Sequence, residues 1–188
     1  MHVTVEPIRD RKAINTMCYY LKGKDPKYGL LFKFGLNTGL RISDILPIKI
    51  EDVLISENKF HEYLIIREKK TRKEKKIKLN NTLKKEIISY MTLRKCADSP
   101  YLFYSNKGGY ISRIQAYRVL KEAAQCCGVE NFGTHSLRKT WGYWTYKKSK
   151  YNIGLIMDMF NHSSQRITLR YIGISQDQKD ELYSLVQL

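Results

Sequence analysis

Thr38-Gly39-Leu40-Arg41-Ile42-Ser43-Asp44 is the stretch on which the interpretation of this chain depends. Three further polar segments follow it: His135-Ser136-Leu137-Arg138, then Asn161-His162-Ser163-Ser164, and finally Tyr171, nine residues after His162. Two arginines, two histidines and a tyrosine in this order form a set that can hold a phosphodiester and attack it. No carboxylate cluster or cysteine–histidine ligand set accompanies them in the sequence, so we expect a reaction without a metal or another cofactor.

The composition is that of a folded and strongly basic chain. The 188 residues fit one domain, and 43% hydrophobic residues are enough for a packed core. Lys and Arg number 34 against 18 Asp and Glu, which gives a net charge of +16. Such a charge favours a polyanionic partner, most often nucleic acid, over a basic surface that serves only solubility or an anionic membrane.

The four cysteines do not form a disulfide framework. Cys126 and Cys127 are adjacent, Cys18 and Cys96 are isolated, and the sequence has no Cys-x-x-Cys pair. This usage is typical of a reducing compartment. The first residues show no secretory signal pattern, and no apolar stretch approaches the ~20 residues of a membrane span. We therefore expect a cytoplasmic protein without a membrane partner.

The hydrophobic pattern predicts a single α+β domain that is mostly α-helical, with a small antiparallel β-sheet or hairpin. Asp10 is predicted to cap a first helix that ends at Gly23, and Asp25-Pro26 to open a second helix that ends near Gly39. The remaining predicted helices run from about Arg41 to Pro47, from a cap at Asn81 or Thr82 to about Lys95, from a cap at Ser112 to Gly128, and over 135–149, 152–160, 164–172 and 177–186.

The period of the pattern changes between Val53 and Leu79. Two β-type segments, 63–66 and 75–79, flank a polar tip over 68–73, which predicts an antiparallel hairpin or a three-stranded sheet. Because the turn has no Asn-Gly pair, the sequence does not predict its register.

Arg41 and Arg138 are the candidate phosphate ligands. Each guanidinium presents a planar fork of donors, and two forks can bind both non-bridging oxygens of a phosphodiester. Taken alone, either arginine is better explained as a surface residue or a member of a structural ion pair, and only the rest of the set favours a phosphate ligand. Asp44 lies three residues after Arg41, on the same side of a helical turn, and either orients an arginine or is a solvated carboxylate.

Tyr171 is the candidate nucleophile, and His135 and His162 are candidates for phosphate binding or proton transfer. A phenol attacks only when a base or nearby cations assist it, because its pKa is near ~10. The alternative for Tyr171 is packing on an amphipathic segment, and Tyr183 is the nearest rival. The alternative for each histidine is a structural role.

Lys70 lies at the tip of the predicted hairpin, within a run of basic residues. One lysine of this run could enter a groove and protonate the leaving 5′ oxygen as a general acid. The run comprises Lys69, Lys70, Arg72, Lys73, Lys75 and Lys76. Of these, Lys69, Arg72, Lys73 and Lys75 are predicted to contact DNA phosphates, a role that is independent of DNA sequence and sensitive to salt.

These segments resemble the catalytic domain of the tyrosine recombinases, the phage integrase family. The family's blocks have the forms T-G-x-R-x-x-E/D, a β-hairpin with a lysine, H-x-x-R and G-H-S-x-x-x-x-T-x-x-Y. Their counterparts here are 38–44, Lys70-Thr71-Arg72-Lys73, 135–138 and 161–171, in the family's order. The resemblance covers roughly residues 5–175.

The resemblance implies a role for each matching residue. Tyr171 matches the nucleophile that forms a 3′-phosphotyrosyl link and frees a 5′ hydroxyl. Arg41 and Arg138 match the pair that binds the scissile phosphate. Asp44 stands at the acidic position that supports the arginines.

The resemblance also assigns the groups that move protons. His135 matches the position that handles the proton of the tyrosine, and His162 the histidine that contacts the phosphate. Lys70 matches the general acid, although the adjacent basic residues leave Lys69 or Lys73 as alternatives.

Asn161 departs from the family pattern, because it stands where the family has a glycine before the histidine. Asparagine tolerates left-handed backbone angles, so we expect the turn to be retained.

The function implied by the resemblance is that of a site-specific DNA recombinase of the integrase or excisionase type. It implies DNA recombination and DNA integration for a mobile genetic element, without metal or ATP. The partner would be double-stranded DNA, bound by a homotetramer that is a monomer or weak oligomer in isolation. The recognised DNA site, and the choice between integration, excision and dimer resolution, are left open.

We expect a catalytic domain over residues 1–175 and a C-terminal helical tail over 176–188. Leu182, Leu185, Val186 and Leu188 give the tail an apolar face that can pack on its own domain or on a neighbouring protomer. Integrases of this type usually carry N-terminal DNA-binding modules as well. A catalytic domain without them is expected to bind DNA weakly.

Three other functions remain as alternatives at this point. A type IB topoisomerase would use the same chemistry to relax DNA without joining two duplexes. A catalytically idle DNA-binding regulator would not need the complete set of polar groups. An RNA-binding or ribosomal protein would explain the charge but not the spacing of the segments.

Overall fold

The computed structural model describes residues 5–95, 98–150, 152–174 and 183–185. Over these residues the chain forms eight helices and four short strands, which confirms a mostly helical α+β fold with small antiparallel sheets. The helices are α1 (Arg11–Lys24), α2 (Pro26–Thr38), α3 (Ile42–Ile45), α4 (Asn81–Leu93), α5 (Arg113–Cys126), α6 (Ser136–Lys148), α7 (Ile153–Phe160) and α8 (Gln165–Tyr171). The strands are β1 (Leu54–Ser56), β2 (Lys59–Phe60), β3 (Tyr63–Arg67) and β4 (Glu74–Lys78).

Helix α2 forms the centre of the domain. It contacts α1, α4, α5 and α6, and its residues Leu30, Leu31, Phe32 and Phe34 are all at most 1% exposed. A helix that is apolar on all sides is stable only when other elements cover it. The C-terminal end of α2, where the first polar segment begins, is therefore held firmly by the rest of the core.

Side-chain caps set most helix starts, and one of them differs from the prediction. Asp10 and Ser112 cap α1 and α5 as predicted. Helix α4 is capped by Asn80, one residue before the predicted cap, because its side chain accepts from the backbone N–H of Leu83. Helix α1 continues through the predicted stop at Gly23 to Lys24.

The β region consists of two separate two-stranded sheets rather than one three-stranded sheet. Strand β1 pairs with β2 across a register shift, and β3 pairs with β4 in continuous antiparallel register. The β3–β4 hairpin is closed at Glu68 and Lys73, and Arg72 adopts the left-handed φ of 59° in its turn. The hairpin prediction is thus confirmed, and the three-stranded alternative is wrong because β1 and β2 form their own short ribbon.

Helices α7 and α8 pack on α6 through a second, smaller core. Its fully buried members are Ile156, Phe160 and Ile172, and Trp141 of α6 packs against them. Tyr171 lies at the edge of this cluster. The candidate nucleophile is therefore carried by a small unit that is separate from the core around α2.

Gly39 terminates α2 in the left-handed region, with φ 63° and ψ 15°. A Cβ added there would lie 2.5 Å from ring atoms of Trp141. We expect Gly39→Ala to destabilise the protein by roughly 2 to 4 kcal/mol, since it adds left-handed strain to overpacking. Denaturant unfolding tests this, with Gly108→Ala as the matched control: Gly108 has φ 88° but open space around it. An equal loss of unfolding free energy in the two variants would contradict the role of the Trp141 contact.

The C-terminal tail lies largely outside the described residues. Within it only 183–185 are described, and there Tyr183 and Leu185 are 79% and 76% exposed. The predicted helix over 177–186, the division at residue 175 and the docking of the tail in cis or in trans therefore stay predictions. Among the helices of the described residues, none has the length and apolarity needed to cross a membrane.

Candidate active site

The first polar segment is the junction between α2 and α3. The Thr38 hydroxyl donates to the carbonyl of Phe34 at 2.8 Å and accepts from the N–H of Leu40 at 3.3 Å. Together with the left-handed Gly39, this turns the chain so that Arg41 stands at the start of α3. The threonine and glycine thus have a backbone role, and they place the arginine.

Arg138 is the most deeply buried cation of the site, with 3% of its surface exposed. Its Nη1 donates to the carbonyl of Gly39, and its guanidinium carbon lies 4.3 Å from the centre of the Phe160 ring. Its buried Nη2 makes no hydrogen bond of normal geometry among the described residues, and the Arg138 side chain is close enough to the Tyr171 hydroxyl to oppose the rise in the pKa of Tyr171. An unsatisfied buried donor is costly, so Nη2 is a ready ligand for an anion.

Arg41 is paired with Glu68, a residue that the sequence did not single out. The Arg41 Nη1 donates to the Glu68 carboxylate at 2.8 Å, and the Lys75 Nζ lies 3.3 Å from the same oxygen. The Thr71 hydroxyl donates to the other oxygen at 2.6 Å. Burial raises the pKa of Glu68, but the hydrogen bond from Thr71 and the charges of Lys75 and Arg41 outweigh it and hold the pKa below its usual range.

Asp44 supports the arginine less directly than the prediction held. Its Oδ2 is 4.0 Å from the Arg41 Nη1, too far for a hydrogen bond. Its Oδ1 instead accepts from the backbone N–H of Lys69 at 3.0 Å. Asp44 therefore links α3 to the turn of the β3–β4 hairpin through a hydrogen bond. The carboxylate that lies closer to Arg41 is that of Glu68.

Tyr171 and His135 meet across the site. The phenol oxygen lies 3.4 Å from the Nδ1 of His135, at the start of α6. Burial raises the pKa of Tyr171 above its ordinary value, although the charges of Arg138 and Arg41 oppose the shift. Loss of hydration around the ring, with the charges of Arg138 and Arg41, lowers the pKa of His135. A protonated phenol thus faces a neutral imidazole, the arrangement that a general base requires.

His162 lies beside the tyrosine, held by its own turn. Its Nδ1 is 3.1 Å from the Thr168 hydroxyl, and its ring packs edge-on against Tyr171 with centroids 5.1 Å apart. Asn161 ends α7 at φ 55° and ψ 45°, so the expectation that asparagine can replace glycine in this turn is confirmed. Burial, followed by the charges of Arg138 and Arg41, lowers the pKa of His162.

The basic side chains of the hairpin differ in their contacts. Lys69 Nζ reaches the Tyr110 hydroxyl at 3.3 Å, and Lys73 Nζ reaches the Asn161 side chain at 3.2 Å. Arg72 is exposed in the turn. Lys70 is also exposed, yet its charge contributes to lowering the pKa of His135, which places it on the same side as the site.

The structure therefore brings together most of the residues that the sequence singled out. Arg41, Arg138, His135, His162 and Tyr171 interact with one another directly or through their charges. Lys70 is exposed and near enough for its charge to act on His135, and the Asp44 carboxylate lies 4.0 Å from Arg41. Within the described part of the chain, no group of three His, Cys, Asp or Glu side chains is placed to hold a metal ion.

The model of the phage integrase family matches residues 10–178. The chain belongs to the phage integrase family. It is 46% identical over 186 residues to the probable integrase/recombinase YoeC of Bacillus subtilis (strain 168), a match that covers 98% of each chain. It is 28% identical over 141 residues to tyrosine recombinase XerA of Pyrococcus furiosus, which covers 73% of this chain and 47% of XerA. The chain thus spans about half the length of that recombinase.

Solved structures show the same fold. XerH site-specific recombinase bound to a palindromic difH substrate, in a post-cleavage complex, superposes with a TM-score of 0.75 at 18% identity, over 97% of this chain and 52% of that one. A lambda integrase tetramer bound to a Holliday junction gives a TM-score of 0.68 at 15% identity, over 91% of this chain and 49% of that one. This integrase has the fold of those recombinases.

Proposed function

We propose that this integrase cleaves and rejoins double-stranded DNA through a covalent bond between Tyr171 and a 3′ phosphate. The observation that carries the proposal is the Tyr171 hydroxyl, 3.4 Å from the Nδ1 of His135 and within the influence of both Arg41 and Arg138. A nucleophile, a base and two anion ligands in one place are the requirements for phosphoryl transfer.

The proposed step keeps atoms and charges in balance. The Tyr171 oxygen bonds to phosphorus as its proton passes to His135, and the bond from phosphorus to the 5′ oxygen breaks. Arg41 and Arg138 bind the non-bridging oxygens, where negative charge builds up. Lys70 gives a proton to the leaving 5′ oxygen, and His162 donates to the phosphate.

The products explain why no nucleotide triphosphate is needed. The phosphotyrosyl ester replaces one phosphodiester, so a 5′ hydroxyl can attack it and restore the DNA strand. When that hydroxyl comes from a second duplex, the outcome is recombination, as expected for the DNA of a mobile genetic element. A cytoplasmic location stays a prediction.

DNA is the proposed partner because the chain has a net charge of +16 and several of its basic residues lie close to the site. Lys69, Arg72 and Lys73 are exposed on the hairpin beside Arg41, whereas the Nζ of Lys75 is partly buried and contacts Glu68 and the carbonyl of Met159. Phosphate contacts of this kind weaken steeply with salt. A homotetramer on DNA is proposed from the likeness to the lambda integrase tetramer.

The test is the capture of a covalent adduct. The full chain is incubated in EDTA with a pool of nicked duplexes whose core sequence is randomised, so that the protein selects the site that it cleaves. We expect a protein–DNA adduct that survives SDS, and sequencing of the captured strands then gives the preferred site. DNA binding without any adduct would contradict strand transfer and favour the idle regulator.

The captured site also separates recombination from relaxation. A recombinase joins strands from two duplexes that carry the site, whereas a topoisomerase relaxes a supercoiled plasmid and yields no exchanged product. We expect exchanged products with two sites.

We expect the rate of adduct formation to fall in acid. The lowered pKa keeps His135 neutral near pH 7, so it can accept the phenol proton, and this capacity is lost once the pH falls through that pKa, below about 6.5. The single-turnover rate should be flat near neutrality and then fall about tenfold per pH unit. His135→Gln should remove this acid limb at a lower overall rate. An unchanged acid limb in His135→Gln would show that another group is the base.

A further inference from the structure

Glu68 is a buried carboxylate that the proposed chemistry does not use. Its side chain is 0% exposed, in a chain of net charge +16. A buried charge is costly unless it is paired and hydrogen-bonded. Glu68 meets that condition with Arg41 at 2.8 Å, Lys75 at 3.3 Å and Thr71 at 2.6 Å. These partners include Arg41, a proposed phosphate ligand, and Thr71, the neighbour of Lys70 in the chain.

Two of the contacts of Glu68 bring together Arg41 and Lys75, two cations that would otherwise repel each other. Burial lowers the pKa of Lys75, and the charges of Arg138 and Arg41 lower it further, whereas Glu68 opposes the shift. Three cations thus converge here, and Glu68 is the carboxylate nearest to Arg41 and Lys75, with Asp44 farther away at 4.0 Å from Arg41. Glu68 offsets their repulsion before any phosphate arrives.

The second set of contacts holds the turn that carries Lys70. On one side of Lys70, the Thr71 hydroxyl donates to the Glu68 carboxylate. On the other side, the N–H of Lys69 donates to Asp44 at 3.0 Å. The Glu68 backbone closes the same turn, since its N–H donates to Lys73 and its carbonyl accepts from Arg72, both at 2.9 Å.

We propose that Glu68 is a positioning residue of the strand-transfer site, which holds Arg41 and Lys75 in place and fixes the turn that presents Lys70 to the leaving group. This inference rests on the proposed function. Glu68 does not touch the reacting atoms. It acts through the cations, and it is the link between the arginine that binds the phosphate and the lysine that protonates the 5′ oxygen.

The test compares Glu68→Gln with Glu74→Gln, its matched control. Glu74 belongs to the same hairpin but is exposed, so the control makes the same chemical change without removing a buried charge. Both are assayed on the captured DNA site, synthesised with either oxygen or sulfur at the 5′ bridging position. A sulfur leaving group departs without a proton, so it relieves a defect in the general acid.

We expect Glu68→Gln to cleave the oxygen substrate roughly 10²-fold more slowly than wild type. On the sulfur substrate its cleavage rate should be only about tenfold below that of wild type. Glu74→Gln should cleave both substrates at the wild-type rate. Wild-type cleavage by Glu68→Gln would overturn the proposal, and so would an equal loss on the two substrates.

Thr71→Val keeps the test decisive if Glu68→Gln does not fold. This variant removes only the hydroxyl that ties Glu68 to the turn of Lys70 and leaves the buried ion pairs. Its cleavage rate should also fall less on the sulfur substrate than on the oxygen substrate. An equal fall in rate on both substrates would count against the proposal.

A titration separates failure of this inference from failure of the proposed function. In Glu68→Gln the pKa of Lys75, followed by NMR of its 13Cε, should fall below the wild-type value because the opposing anion is gone. The control should leave it unchanged. If wild type forms no adduct at all, strand transfer has failed. The Lys75 titration then still tests whether Glu68 acts on Lys75. An unchanged pKa of Lys75 in Glu68→Gln would overturn the proposed role of Glu68.

Discussion

Tyr171→Phe should abolish the covalent adduct while leaving DNA binding intact. The change removes one oxygen, and with it the only atom of residue 171 that can attack phosphorus. The remaining ring keeps its packing against Phe160, where the centroids are 5.3 Å apart, and against His162. We expect adduct formation to drop by roughly 10³-fold or more. The stability should change by no more than about 1 kcal/mol, since the contact to His135 is long.

SDS gel analysis of adduct formation, beside a binding titration on the captured site, measures both quantities. Tyr183→Phe is the matched control, because Tyr183 is a second tyrosine near the C-terminus and is 79% exposed. It should form the adduct as wild type does. If Tyr171→Phe still formed an adduct and Tyr183→Phe did not, the nucleophile would be assigned to the wrong residue.

Arg138→Lys should reduce the cleavage rate more than any substitution discussed here except Tyr171→Phe, even though it keeps the positive charge. The Arg138 Nη1 is occupied by the carbonyl of Gly39, which leaves Nη2 for the phosphate. A lysine has a single Nζ and cannot fill both positions with the geometry of a planar fork. We expect cleavage to slow by about 10²- to 10³-fold, the usual cost of losing one donor to a developing oxyanion.

Single-turnover cleavage of the captured site tests the Arg138 prediction. Arg170→Lys provides the matched control, since Arg170 is an exposed arginine next to the nucleophile and makes the same exchange of guanidinium for ammonium. It should cleave at nearly the wild-type rate. Cleavage by Arg138→Lys close to wild type would mean that the charge alone suffices and that Nη2 is not a phosphate ligand.

Local signals predicted most of the helix starts. Asp10 and Ser112 cap their helices through the next few N–H groups, which is a short-range property of the sequence. Asn80 was missed because three cap-forming residues, 80–82, follow one another, and only the folded chain selects the first. The separation of the β region into two sheets was not predictable, because strands of two and three residues carry little pattern.

The candidate site was predicted as a set of residues but not as a network. The contact of Arg138 with the carbonyl of Gly39 joins positions 99 residues apart, and no local pattern contains it. The sequence places Glu68 in the polar tip of the predicted hairpin and gives it no separate role. The alternation of β3 carried a signal that points to it: Leu64 and Ile66 lie on the inward side of the strand, and Glu68, one residue past its end, continues that alternation and is buried.

Peptide mapping of the captured adduct tests the central claim most directly. The SDS-stable complex formed in EDTA is digested with protease and nuclease, and the peptide that retains a nucleotide is sequenced by mass spectrometry. We predict that the nucleotide is joined through its 3′ phosphate to Tyr171. A nucleotide on another residue, or a link through a 5′ phosphate, would contradict the proposed chemistry.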